Sequence, residues 1–178
     1  MFLRSGKEAA ARVRGIIQEK YQVHRYSVDL TVKSLSQLDP VGQVDFGGGE
    51  YRAAGQIRIA PSRQRPEDRY EWWDLERGCY AVAYNETLEL GDDEIALIEP
   101  DTRLLRAGGS HTLTFFRGRV EPVEGLLIVG VSRLQIKQNA RISCLRLFAM
   151  GGSTETPVPA TKPKATSKLP AKTSRKRR

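Results

Sequence analysis

The fold is decided by the stretch Tyr26-Ser27-Val28-Asp29-Leu30-Thr31-Val32-Lys33. Apolar and polar residues alternate along it, which is the period of two expected for a β-strand that buries one face. A surface helix would instead place its apolar residues three and four positions apart. The stretch therefore predicts a strand whose apolar face lies in the core, with Asp29 on the opposite face.

Further short strand-like runs follow this stretch along the chain. Gly, Asn, Asp or Pro separates most of them, the turn Gly47–Gly49 precedes the first, and 61–68 is polar enough to form a loop. Many short strands at this spacing favour a β-sandwich or β-barrel over a parallel sheet with crossover helices. The predicted strands are 52–60, 79–85, 87–90, 94–99, 112–116, 126–131 and 141–148.

The N-terminal region has a helical pattern. Ser5 and Glu8 have the spacing of a capping box, and the apolar residues after them fall on one helical face, although Gly15 weakens the pattern. Residues 1–20 lack the apolar core of a signal peptide, and no apolar run approaches the roughly 20 residues that span a bilayer. We therefore expect an N-terminal helix, a cytoplasmic location and no membrane partner. The apolar helical positions are Ala9, Val13, Ile16 and Ile17.

The positive charge of the chain is concentrated at its C-terminal end. Residues 151–178 hold eight Lys or Arg residues against Glu155 alone, so they carry +7 of the chain's +8 and leave +1 on residues 1–150. The same segment is rich in Pro, Thr, Ser and Ala, a composition too polar to form a core. We expect a globular domain over 1–150 and a disordered basic tail over 151–178.

Two functions fit such a tail. Lys and Arg bind nucleic-acid phosphates without reading sequence, so the tail is a candidate contact with nucleic acid or a ribonucleoprotein, and it equally fits a solubilising extension. The absence of aromatic residues argues against base stacking. Its basic residues are Lys162, Lys164, Lys168, Lys172, Arg175, Lys176, Arg177 and Arg178.

The cysteine and histidine content excludes the common metal and disulfide frameworks. Cys79 and Cys144 both lie in strand-like runs, so we expect buried free thiols. The two histidines have no zinc-site spacing. The pair Trp72-Trp73 favours packing in the core or between subunits over a base-stacking platform.

Three short segments carry residues capable of chemistry. Asp29 is a strand carboxylate, either facing solvent or belonging to a site. The segment 101–106 follows a strand and opens a short helix that Asp101 or Thr102 would cap, where backbone N–H groups meet an anion. The segment 121–125 places Glu121 and Glu124 at a corner before an apolar strand, where they hold a water or a sugar hydroxyl, or are solvated turn charges.

In this order, the segments resemble motifs of the dUTPase/dCTP deaminase superfamily. Val28-Asp29-Leu30 resembles the end of its first strand, and Asp101-Thr102-Arg103-Leu104-Leu105-Arg106 resembles its phosphate segment Arg-Ser-Ser-Leu-Ala-Arg. Glu121-Pro122-Val123-Glu124-Gly125 resembles its nucleoside corner, and Arg141-Ile142-Ser143-Cys144-Leu145 resembles a late strand. The resemblance covers roughly residues 5–150. It implies a distorted, jelly-roll-like β-barrel of the β-clip type with a short N-terminal helix.

The resemblance also implies a function, hydrolysis of dUTP to dUMP and pyrophosphate by a homotrimer with Mg²⁺. Glu121 would orient the attacking water, and backbone from Gly125 would read the pyrimidine. Asp29 would position metal-bound waters or Arg103. The residues implied to hold the phosphates are Thr102, Arg103 and Arg106.

Departures from the motifs favour one activity and leave a rival hypothesis. The deaminases' general acid/base Glu corresponds to Gly130, and no carboxylate occurs from Gly125 to Gln138, which disfavours deamination. Asp101 replaces the Arg that binds phosphate. The alternative is therefore a catalytically degenerate domain that acts as a binding module or scaffold, with its tail on nucleic acid.

Overall fold

A computed structural model describes residues 1–39 and 41–151. The chain forms a mainly β structure with a strongly curled sheet, as the sequence predicts. The main path of this sheet runs β8-β11-β5-β3-β12-β7-β9, while β10-β6-β2 form a small second sheet. The strands are β1 (Phe2–Leu3), β2 (Val13–Arg14), β3 (Val28–Leu38), β4 (Gln56–Arg58), β5 (Trp72–Tyr84), β6 (Thr87–Glu89), β7 (Glu94–Pro100), β8 (Gly109–His111), β9 (Thr114–Phe116), β10 (Arg119–Val120), β11 (Glu124–Lys137) and β12 (Arg141–Ala149).

The N-terminal helix is shorter than predicted. Helix α1 (Gly6–Ala10) begins with the expected capping box, in which Ser5 and Glu8 bond each other's backbone N–H groups. It ends before Val13, which belongs to β2, and Gly15 then adopts a positive φ of 82°. The prediction of one helical face reaching Ile17 is wrong, because Val13 and Arg14 pair with β6 and this strand pairing overrides the helical pattern. Two further short helices are α2 (Glu19–Gln22) and α3 (Thr102–Arg106).

Strand β3 is buried on both faces over its first half. The alternation correctly predicts that its apolar side chains are in the core, but the intervening Asp29 and Thr31 are buried as well. The polar face is covered by segments that the strand pattern does not reveal, since Gln22 of α2 and Glu86 both reach the backbone of this strand. Asp29 therefore lies in a protected site, and its interpretation as a solvent-facing residue is wrong.

A long ribbon of β5 and β11 forms one side of the curled sheet. The two strands pair from Trp72 opposite Lys137 to Ala83 opposite Glu124, with a register shift between Val129 and Arg133. Both strands are longer than their predicted runs. Alternate residues along β11 are buried, which is the signature of a strand with one face on the core.

The two cysteines are free thiols, but they are not both buried. Cys144 is half-buried on β12, where burial raises the pKa of its thiol. Cys79 is exposed on β5, so its predicted burial is wrong. The reason is the pleat of the strand, which turns Cys79 outward while Tyr80 faces inward.

A chain of polar side chains crosses the core. The Ser143 hydroxyl lies 2.6 Å from Tyr84 Oη and 2.8 Å from His111 Nε2, and His111 Nδ1 lies 3.0 Å from the Thr112 carbonyl. The carbonyl can only accept, so Nδ1–H donates and Nε2 accepts from Ser143, which in turn accepts from Tyr84. Burial lowers the pKa of His111 and raises that of Tyr84 to about 12, so the chain is neutral.

No helix within the described ranges is long and apolar enough to cross a membrane.

Candidate functional site

The centre of the candidate site is the buried carboxylate of Asp29. Three nitrogen atoms approach its Oδ2 from separate parts of the chain: His24 Nε2 at 3.0 Å, Arg141 Nη1 at 3.1 Å and Arg103 Nη2 at 3.4 Å. Only 5% of the Asp29 side chain is exposed, compared with 48% for His24 and 54% for Arg103. We call His24, Asp29, Arg103 and Arg141 the Asp29 cluster. It presents cationic groups to solvent around one internal anion.

Sheet pairing brings the cluster together. Strand β12 runs antiparallel to β3, with Cys144 opposite Asp29, so Arg141 enters the site from the neighbouring strand. The backbone N–H of Asp101 donates to the Ile142 carbonyl at 2.8 Å, which fixes the start of α3 beside β12. These long-range contacts place Arg103 and Arg141 on the same carboxylate.

Asp101 caps helix α3 and binds Arg103 directly. Its Oδ1 accepts hydrogen bonds from the Arg103 backbone N–H at 2.7 Å and from Arg103 Nε at 2.9 Å. Partial burial opposes ionisation of Asp101, but the bonds from Arg103 outweigh it and lower the pKa of this carboxyl; the same pairing raises the pKa of Arg103. The predicted cap is confirmed, and it engages the Arg that the sequence assigns to phosphate.

A cavity of about 420 Å³ adjoins the cluster. It lies between α3, the end of β11 and the start of β12, and both Arg103 and Arg141 contribute to its wall. Opposite them, Lys137 Nζ lies 5.2 Å from the centre of the Trp72 ring, within cation–π distance. The remaining wall residues are Leu104, Ala107, Leu134, Gln135, Ile136, Gln138, Asn139, Ala140 and Ile142.

The adjacent tryptophans have different roles. Trp73 is buried in the core, and its Nε1 donates to the Ile59 carbonyl at 3.0 Å. Trp72 is half-buried on the cavity wall. The prediction of packing in the core or between subunits is confirmed as core packing for Trp73, and for Trp72 packing between subunits stays a prediction.

A buried polar network supports the cluster from behind. Glu86 is fully buried and accepts bonds from Gln22 Nε2 at 2.7 Å, from the Thr31 backbone N–H at 2.8 Å and from the Thr31 hydroxyl at 2.7 Å. Burial raises the pKa of Glu86 despite these bonds. Gln22 also donates to the Asp29 carbonyl at 3.0 Å, so the network joins α2 to the strand that carries the central carboxylate.

The corner 121–125 stands apart from the Asp29 cluster. Glu121 is exposed and pairs with Arg119 at 2.7 Å, whereas Val123 is buried and accepts a bond from the Tyr84 backbone N–H. Gly125 lies opposite Val82 on β5. Within the described residues of one chain, no hydrogen bond or ion pair joins Glu121 to the cluster.

Comparison with known proteins finds similar archaeal sequences. No family model matches the chain. It is 27% identical over 138 residues to a probable deoxyuridine 5'-triphosphate nucleotidohydrolase of Methanosarcina acetivorans, covering 75% of this chain and 76% of the relative. A protein of the same name from Archaeoglobus fulgidus is 26% identical over 148 residues, covering 80% and 82%. The chain is thus similar to proteins of the dUTPase/dCTP deaminase superfamily.

A solved structure has a similar fold. The 2'-deoxycytidine 5'-triphosphate deaminase of Agrobacterium tumefaciens superimposes with a TM-score of 0.60 at 16% sequence identity. The match covers 82% of this chain and 47% of the deaminase chain, so this chain spans about half the length of that structure.

The superfamily motifs fall on distinct parts of the structure. The segment that resembles the phosphate motif forms α3, where Thr102 and Arg106 are exposed and Arg103 joins the cluster. Gly130 is exposed on β11, and its backbone N–H donates to the Gly108 carbonyl at 2.8 Å. The eight basic residues of the predicted tail lie outside the described residues.

Three residues of this region were missed in the sequence. His24 lies in the turn before β3, and Trp72 and Lys137 face each other across the end of the β5–β11 ribbon. For His24, the one feature of the sequence that could have predicted its place in the site is its closeness to Asp29 along the chain. Lys137 and Trp72 are 65 positions apart in the sequence, and only the register of two long strands brings them together.

Proposed function

We propose that the chain hydrolyses dUTP to dUMP and pyrophosphate. The observation that carries the proposal is the Asp29 cluster, which places Arg103 of the phosphate segment and Arg141 of the late strand on the carboxylate of the first strand. Three separate superfamily motifs thus converge at one point. The names of the archaeal relatives, which match three quarters or more of the chain, support the same activity.

In this proposal, the phosphates lie against α3 and the cluster. Arg103, Arg106 and the Thr102 hydroxyl would bind phosphate oxygens, and the guanidinium groups would stabilise the negative charge that develops during hydrolysis. The oxygen of a water molecule would form a bond to the α-phosphorus, and the bond from that phosphorus to the oxygen shared with the β-phosphorus would break. The water proton would pass to solvent, leaving dUMP and pyrophosphate as products. Glu121 would orient that water, and backbone from Gly125 would read the pyrimidine.

The separation of Glu121 from the cluster supports a shared site. A homotrimer in which the corner of one subunit meets α3 of the next would combine the two halves, and we propose this assembly for the active protein. The test is the molar mass in solution. A monomeric active enzyme would contradict the shared site.

Magnesium enters this proposal only with the substrate. Across residues 1–39 and 41–151, no group of three His, Cys, Asp or Glu side chains could hold a metal ion. Asp29 Oδ2, the oxygen that a metal ion in the cluster would have to bind, is already contacted by the side-chain nitrogens of His24, Arg103 and Arg141. These residues do not fit direct coordination of Mg²⁺, so the relevant species is the Mg–nucleotide.

Hydrolysis is favoured over deamination because β11 lacks a proton-transfer group beyond its first residue. Glu124 is followed by a strand without another carboxylate, and a general acid/base typically contributes 10²- to 10⁴-fold. The decisive experiment incubates the full chain with each deoxynucleoside triphosphate and Mg²⁺, and measures pyrophosphate and ammonia. Pyrophosphate from dUTP is expected; ammonia from dCTP would refute the preference.

The second candidate is a catalytically degenerate domain that binds a ligand or serves as a scaffold. It is favoured by the contact between Asp101 and Arg103, since a carboxylate already engages the predicted phosphate ligand. Under this alternative, no deoxynucleoside triphosphate releases pyrophosphate, and dUTP with Mg²⁺ leaves the melting temperature unchanged.

A further inference from the structure

The net charge of the Asp29 cluster, taken with Asp101, depends on the protonation of His24. Arg103 and Arg141 carry two positive charges, and Asp29 and Asp101 carry two negative ones, so these four residues are together neutral. His24 is the remaining ionisable group in contact with Asp29. An imidazole changes charge between about pH 5 and pH 8. The set of His24, Asp29, Asp101, Arg103 and Arg141 is therefore neutral when His24 is neutral and carries one positive charge when His24 is protonated.

His24 is placed to contact a bound anion. Its ring nitrogen lies 3.0 Å from the same Asp29 oxygen that both arginines approach, so the three side chains are close enough to meet one phosphate group. Almost half of the His24 side chain is exposed, which leaves it accessible to a ligand. Its backbone is held, because the His24 N–H donates to the Ser27 carbonyl at 2.9 Å and its own carbonyl packs against Gly6 of α1.

We propose that His24 is a phosphate ligand of the Asp29 cluster, and that its protonation strengthens the binding of a polyphosphate chain. The proposal rests on the proposed function for the choice of a polyphosphate, but it concerns binding and requires no turnover. The charged groups that face His24 are Asp29 from β3, Arg103 from α3 with Asp101 behind it, and Arg141 from β12. Of these groups, His24 is the one whose side chain can be either neutral or positively charged.

The test is calorimetric titration of the full chain with inorganic tripolyphosphate at about pH 5.5 and about pH 8, the range over which an imidazole changes charge. His24→Asn keeps a polar side chain that cannot take up a proton, and His24→Lys carries a permanent charge. We expect wild-type affinity to rise about tenfold more than that of His24→Asn on acidification, because a charged hydrogen bond is gained. His24→Lys should bind tightly at both pH values relative to His24→Asn.

The histidine content of the chain simplifies the comparison of wild-type and variant binding at the two pH values. The chain has two histidines, His24 and His111, and none lies in the basic tail, so any binding by the tail does not change with histidine protonation. Protonation of the tripolyphosphate itself is common to all variants. If His24→Asn retains the wild-type dependence on pH, the proposal is wrong.

A second measurement covers the case in which a variant fails to fold. The ring signals of the two histidines are followed by nuclear magnetic resonance in the wild-type chain while tripolyphosphate is added. We expect the His24 signals to shift and those of buried His111 to stay. Unchanged His24 signals at saturation would overturn the proposal, while dUTP turnover in the same sample would leave the proposed function standing.

Discussion

The Asp101 carboxylate accepts two hydrogen bonds from Arg103, one from its backbone N–H at 2.7 Å and one from its side-chain Nε at 2.9 Å. The carboxylate thus completes the first turn of α3 and neutralises the guanidinium that should meet a phosphate. A phosphate bound to Arg103 as proposed would compete with this internal anion. Stability of the helix and affinity for the ligand therefore make opposite demands on one side chain.

Asp101→Asn separates these two demands. Asparagine is as good an N-cap as aspartate, so stability should change by less than about 1 kcal/mol. Removing the negative charge should lower the apparent KM for dUTP, or the Kd for tripolyphosphate, about tenfold, because a like charge beside a polyanion is costly at short range. Steady-state kinetics or calorimetry measures the change. Asp92→Asn, in an exposed turn, is the control of equal charge and should have little effect.

The polar chain through Ser143 makes the core sensitive to acid. His111 has a pKa below its ordinary value of 6.5, so below that value the unfolded chain takes up a proton more readily than the folded one. Stability from neutral His111 is present above pH 6.5 and is lost as the pH falls, by at most about 1.4 kcal/mol per pH unit. Urea denaturation at several pH values measures this slope. His111→Gln should flatten it.

Ser143→Ala tests the same chain at its middle. The variant leaves both Tyr84 Oη and His111 Nε2 buried without their partner, and each such loss costs about 1–3 kcal/mol. We expect the free energy of unfolding to fall by about 2–4 kcal/mol. A loss below about 0.5 kcal/mol, measured by denaturation, would mean that the chain contributes little to stability.

Gln22 is expected to be the most sensitive residue of the N-terminal segment. Its side chain donates to Glu86 and to the Asp29 carbonyl, and it accepts from the backbone N–H groups of Ile17 and Gln18. Gln22→Ala should destabilise the protein by about 2–4 kcal/mol, because a buried carboxylate loses a donor. Gln18→Ala is the matched control, since its exposed side chain makes no capping bond. Thermal unfolding of both variants measures the difference in stability, and an equal loss in the two would contradict the prediction.

The tail prediction is tested by ending the chain at Gly151. We expect cooperative unfolding to persist, because the strands of the described fold all precede this residue. Retention on a phosphate-rich matrix at low salt should be lost with the +7 charge of residues 151–178. Equal retention of the shortened chain would place a nucleic-acid surface on the domain instead.

The sequence predicts local features of the fold well and long-range ones poorly. The Ser5–Glu8 capping box and the Asp101 cap depend on neighbouring residues and are confirmed. The first half of β3 shows where prediction of burial from the sequence fails. Its alternation identifies one buried face, but burial of Asp29 depends on α2, α3 and β12, which come from other parts of the chain.

Some residues of the candidate site could be predicted from the sequence and others could not. Asp29 and Arg103 were both singled out from motif order, and the structure brings them together. His24 was not, because a lone histidine in a turn has no periodicity. The Trp72–Lys137 wall was missed for a different reason, since the acidic and glycine-containing start of β5 has a weak strand pattern.

The two tryptophans of the chain also provide it with an optical probe. Trp73 is shielded in the core, whereas Trp72 forms part of the cavity wall. Replacing Trp73 with Phe would leave a single indole at the cavity, and its emission and quenching by iodide would report directly on occupancy. Ligand entry could then be followed in real time by stopped-flow fluorescence, with no dye attached to the protein.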